Sequence, residues 1–182
     1  MKRLFAITAV TLLFSVMFLV GGVAAGPVST PTTAKWTGTL YNVGDCEGST
    51  DSDPITYNVN IGQGASSVMG ATNFLFMYCV KVNSLTGSAT GTGWGIATTA
   101  NGDTIHITIP TLTLDFSADP VEWSETEVIN GGTGKFEHAI GVSFSHGTWT
   151  SGTDPFPYGT ESPPLLQPPQ GWVVTSEGEI MY

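Results

Sequence analysis

Positive charge is what this chain has least of. Its 182 residues carry 5 Lys and Arg against 15 Asp and Glu, a net charge of −10. Arg3 is the one arginine, and beyond position 3 the basic side chains are Lys35, Lys81 and Lys135 alone. Nucleic-acid binding is thereby excluded, because phosphate neutralisation needs clustered Lys and Arg. Anionic membrane surfaces are disfavoured for the same reason. Cysteine is also sparse, at Cys46 and Cys79 only. No Gly-x-Ser-x-Gly nucleophile elbow occurs, and no helix-period stretch follows the first 25 residues.

The N-terminus reads as a targeting segment. Lys2 and Arg3 precede an uncharged apolar run from Leu4 to Val20, and Val23-Ala24-Ala25 supplies small residues for cleavage before Gly26. Residues 1–25 are therefore expected to be a signal peptide and 26–182 one secreted domain, periplasmic or extracellular. The alternative is an uncleaved anchor, since Leu4 to Ala25 is long enough to span a bilayer. In an oxidising compartment Cys46 and Cys79 either form a disulfide or stay as two buried thiols. A bridge would contribute about 3–4 kcal/mol by restricting the unfolded chain.

After position 26 the pattern is that of strands. Thr, Val, Ile and aromatics dominate, and Gly or Pro interrupts each run at short range. Ile55 to Ile61, Trp94 to Thr98 and Ile105 to Ile109 alternate apolar with polar. Ala100-Asn101-Gly102-Asp103 between the last two predicts a hairpin whose Asn-Gly pair takes positive φ. Further strands are expected over Lys35 to Val43, Asn73 to Asn83, Val121 to Ile129, Ala139 to Thr150 and Trp172 to Tyr182. Thr111 to Phe116 would continue the Ile105 strand past Pro110. Eight strands suffice for a closed all-β barrel, which also removes sheet edges. Asp154 to Gln170 holds six prolines. It is expected to be a long loop over one barrel mouth, with Phe156, Tyr158, Leu165 and Leu166 gating the interior.

Gly131-Gly132-Thr133-Gly134-Lys135-Phe136, followed by Gly141, is the densest local signal, a tight corner that only glycine permits. With the hairpin region Gly93 to Thr108 and the closing Gly171 to Tyr182, it resembles the allene oxide cyclase and dirigent barrel families. It is more similar still to secreted bacterial proteins sharing that corner. The resemblance implies an eight-stranded antiparallel barrel of calycin-like architecture. It also implies that any activity would be a cofactor-independent cyclase- or isomerase-like reaction, or a dirigent-like coupling. Allene oxide cyclases draw a carboxylate from an early strand, and Lys35 to Tyr41 here has no acid. Dirigent proteins use an arginine in the cavity, and this chain has none after Arg3.

The remaining candidates are weighed on chemistry. His138 and His146, eight apart, would lie roughly 26 Å apart on one strand, too far to share a metal. Asp45, Glu47, Asp51 and Asp53 lack EF-hand spacing and read as a solvated loop. No metal and no cofactor is expected. Glu125 and Glu127 share one strand face, read as a solvent-facing edge. If either faced the lumen beside Trp123, desolvation would raise its pKa and fit it for acid catalysis. Tyr57, Phe74, Phe76, Tyr78, Trp94 and Ile96 are the expected lumen lining. Two functions follow: a barrel binding a small apolar ligand, or a structural or surface-interaction module with a filled core. The Asn73 to Asn83 run is apolar on both faces, so a homo-oligomer is expected to cover the outer one, the alternative covers being the proline-rich loop or the first segment after the signal.

Overall fold

The computed structural model describes residues 29–50, 52–83, 85–150 and 170–182; the side chains of residues 150 and 170 are not among those described. The segments read as a signal peptide and as the proline-rich loop fall outside this set, apart from the edge residue 170. The eight strands are β1 (Ser29–Asp45), β2 (Ile55–Ser66), β3 (Gly70–Asn83), β4 (Ser88–Thr99), β5 (Thr104–Asp115), β6 (Glu122–Gly132), β7 (Ile140–Thr150) and β8 (Gln170–Met181). Each pairs antiparallel with the next, and β8 closes on β1. The all-β reading and the eight-stranded closed barrel are thus both present.

Local chemistry sets the joints. Thr99 N–H donates to Asp103 O and Gly102 N–H to Thr99 O, at 2.9 and 3.0 Å. Only Gly102 has positive φ there (92°), because no non-glycine residue adopts it. The expected Asn-Gly turn with two positive φ values is replaced by a wider loop, in which Asn101 stays in ordinary conformation. Pro110 has no N–H to give the ladder, and the β5–β6 register shifts between Thr108 and Thr111. At the glycine corner Gly131 (φ 118°) and Gly134 (φ 58°) take conformations that an L side chain resists. The chain then drops Phe136 into full burial, with its ring 5.2 Å from Tyr182.

The barrel has two rims. One carries the β1–β2, β3–β4 and β5–β6 connections and the paired ends Thr150 and Gly171. The other carries the β2–β3 and β4–β5 hairpins, the glycine corner and both ends of the described chain. Cys46 and Cys79 form a disulfide, Cα to Cα 5.9 Å, that ties the β1–β2 loop to the outer face of β3. Lys81 and Asp53 add an exposed ion pair beside it at 2.6 Å.

The lumen is packed by size. β3 points Phe74, Phe76, Tyr78 and Val80 inward, and all four are buried. The facing positions of β4 are Ala89, Gly91, Gly93, Gly95 and Ala97. A side chain at Gly95 would collide with the Phe76 ring. Large residues on one strand therefore demand small ones on its neighbour.

A candidate ligand chamber

That packing rule corrects part of the expected lumen lining. Phe74, Phe76 and Tyr78 are inside. Trp94 is on the outer surface, 50% exposed, and Ile96 shares its outward face. Phe76 fills the space they would have needed. Tyr57 also faces outward and donates its hydroxyl to Met77 Sδ. β2 reverses the usual polarity: Asn58 and Asn60 are buried in the lumen, while Tyr57, Val59 and Ile61 lie outside against Leu75 and Met77. The corner residues Gly131, Gly132, Gly134, Phe136 and Gly141 sit together at the rim opposite the site described next.

A chamber of about 310 Å³ opens at the rim that carries the disulfide-tied loop. Its walls are Leu40, Val80, Val82, Leu112, Leu114 and Phe116, with Thr56, Asn42 and Asn58 on one side and Trp149 on the other. Phe116 and Trp149 meet edge to face at 5.6 Å. Tyr78 and Trp123 form the floor. Val82 (44% exposed) and Leu85 (96%) leave the rim apolar. Below the floor the lumen is almost solid. Trp123 and Trp172 lie 5.2 Å apart, Trp172 and Phe74 5.4 Å, and Phe74 and Phe76 5.1 Å. Past this plug, toward the other rim, a void of only about 40 Å³ remains. A wider groove of about 600 Å³ runs past Lys35, Gln63 and Asn73 and is open to solvent. It collects no buried titratable group, so the chamber is the better candidate.

Titratable chemistry lies at and beneath the floor. Glu125 and Glu127 are both buried, which overturns the solvent-edge reading. β6 sends Trp123, Glu125 and Glu127 to one face, and Trp123 must be inside to bury its indole, so the two carboxyls follow it in. Ser143 and Ser145 on β7 donate hydroxyls to Glu127 at 2.5 and 2.6 Å. Ser145 also meets Ser176 at 2.6 Å, and Ser176 accepts from Trp36 Nε1 at 3.0 Å. Trp172 Nε1 donates to Asn60 Oδ1 at 2.7 Å.

Glu125 has no such support, and its Oε2 has no hydrogen-bond partner. Burial, reinforced by the negative charge of Glu127, pushes its carboxyl well above the usual range, although Tyr78 acts in the opposite direction. The Tyr78 hydroxyl faces Glu125 and Asn60 but reaches hydrogen-bond geometry with neither. Burial and the two nearby carboxyls raise its pKa well above 10.0. Asn42 Oδ1, Trp123 Nε1 and Trp149 Nε1 are likewise buried and unpartnered. Comparison with protein-family models, curated proteins and solved structures finds no match to this chain. His106 and His146 are exposed on the outer face of the barrel and His138 is exposed just before β7. Among the described residues no three His, Cys, Asp or Glu side chains converge as a metal site.

Proposed function

We propose that the protein is a secreted barrel that binds a small, mostly apolar molecule in the 310 Å³ chamber. The observation that carries this reading is the contrast inside one lumen: a dense aromatic plug at one end and an apolar space with a polar floor at the other. A volume near 300 Å³ lies at the lower end of the ligand-pocket range, and mixed apolar walls with few polar groups are typical of such pockets. A calycin-like classification, and the link to the allene oxide cyclase and dirigent barrels, belong to the same proposal. Any reaction would be a cofactor-free rearrangement or coupling of the bound molecule. The disulfide and the charged, then apolar, N-terminus support an extracytoplasmic location.

The test is binding of the neutral dye phenylnaphthylamine, followed by its fluorescence. The double variant Leu40→Trp with Val82→Trp narrows the chamber mouth at two positions that are not fully buried. Saturable binding by the wild type and its loss in the folded double variant support the reading. Equal binding by both would place the dye elsewhere and favour the filled-core structural module.

A second copy of the chain is proposed to cover the outer face of β2–β4. Tyr57, Val59, Ile61, Leu75, Met77, Trp94 and Ile96 are cross-strand neighbours there, an uncharged patch on an acidic protein. Like patches can pair symmetrically while the net negative charge keeps copies apart elsewhere.

A further inference from the structure

We propose that the floor of the chamber is a hydrogen-bond-donating subsite for a neutral carbonyl oxygen, with Tyr78 as the donor and Glu125 behind it as positioning residue. This rests on the ligand reading above and adds what the inner end of that ligand must be. Tyr78 is 1% exposed and lines the chamber, yet its hydroxyl has no partner. The same holds for the indole N–H groups of Trp123 and Trp149. An indole N–H can only donate. A buried donor left unpaired destabilises a fold; Trp123 Nε1 lies against Gly147 of β7, while Tyr78 and Trp149 each bring one such donor to the chamber lining and call for an acceptor that enters it. Asn42 offers either a donor or an acceptor through its amide and does not decide the matter.

Charge decides which acceptor. Glu127 lies beneath the floor and the chain carries a net charge of −10, so an anionic headgroup would be repelled. A ketone or aldehyde accepts hydrogen bonds without charge. The Leu40, Val80, Leu112 and Leu114 walls would hold its hydrocarbon body toward the rim. Protonated Glu125, which the Tyr78 hydroxyl faces, draws the phenolic O–H less than a carboxylate would and leaves it to the carbonyl. Ionised Glu125 would accept that O–H and withdraw it from the ligand. Burial raises the Glu125 pKa and so favours its protonated form. Ketone affinity should then fall with alkaline pH as Glu125 ionises, and only while Glu125 is present.

The experiment competes acetylnaphthalene and isopropylnaphthalene, similar in shape, against phenylnaphthylamine on the full mature chain. In Tyr78→Phe the ketone should bind about tenfold more weakly relative to the hydrocarbon, the scale of one lost buried hydrogen bond. The bound ketone's infrared C=O stretch should lie below its value in hexane in the wild type and return toward it in the variant. Glu125→Gln should flatten the alkaline fall in ketone affinity. A wild-type stretch equal to that in hexane overturns the proposal, whatever the variants do. So does a Tyr78→Phe protein that keeps the ketone preference. If the dye itself does not bind, the chamber reading fails, which is a distinct result.

Discussion

Glu125→Gln should change how stability depends on pH, in a direction the structure fixes. The carboxyl is buried and raised well above its ordinary value of 4.5. In the unfolded chain it ionises near that ordinary value, while in the barrel it keeps its proton. Below about pH 4.5 both states are protonated and the group is neutral to folding. As pH rises from there to the folded-state pKa, the unfolded state alone gains from ionising, and stability falls by about 1.4 kcal/mol per pH unit. With urea m-values of about 1–3 kcal/mol/M, the midpoint falls by roughly 0.5–1.4 M per unit. Gln has the shape of the neutral acid and cannot ionise. The wild-type minus variant difference should therefore be small near pH 4.5 and grow steadily against the wild type above it. Exposed carboxylates such as Asp115, held below its ordinary value by the Ser117 hydroxyl and N–H, are common to both proteins and cancel. Urea titrations from acid to mildly alkaline pH provide the assay. Parallel curves for the two proteins would refute the assignment of a protonated, buried Glu125.

Tyr78→Phe removes an unpartnered buried hydroxyl, so urea unfolding should show stability unchanged or raised by up to about 1 kcal/mol. A loss above 2 kcal/mol would mean that the hydroxyl has a structural partner. Replacing Cys46 and Cys79 with Ser frees the β1–β2 loop and should lower stability by about 2–5 kcal/mol, read by thermal unfolding. Phe136→Ala empties a fully buried site beneath the glycine corner and should cost about 3–5 kcal/mol in the same assay. Trp94→Lys places a charge on the outer patch and should shift sedimentation from dimer or larger to monomer; a wild type that is already monomeric removes the self-association proposal.

Strand number, order and most boundaries were legible because period-two alternation and Gly/Pro punctuation are local signals. The glycine corner is legible for the same reason, whereas the sequence leaves Cys46 and Cys79 open between a disulfide and two thiols, because pairing depends on their distance in the fold. What local pattern could not supply was which face of a strand is inside. β2 and β4 show their bulkier residues outward, because β3 fills the lumen with Phe74, Phe76 and Tyr78 and leaves room for Gly and Ala on β4 and for Asn58, Asn60 and Gly62 on β2. That is a relation between paired strands, as in Phe76 opposite Gly95, invisible to alternation within either one. Glu125 and Glu127 were read as solvent-facing from their charge. Trp123 on the same face is what opens the lumen-facing alternative, and its burial carries its neighbours in. Ser143 and Ser145, on one face of the next strand, were the matching donors.

The ligand reading stands on an accessible chamber between Tyr78 and the disulfide-side rim. A crystal of the mature protein soaked with a bromonaphthyl ketone tests it most directly, because anomalous scattering locates the bromine without interpretation of weak density. One bromine per chain is expected inside the barrel, between the Leu112 and Leu114 wall and Trp149, with the carbonyl toward Tyr78. Bromine found only on the outer β2–β4 face around Trp94, or no ordered bromine at saturating ligand, would contradict it.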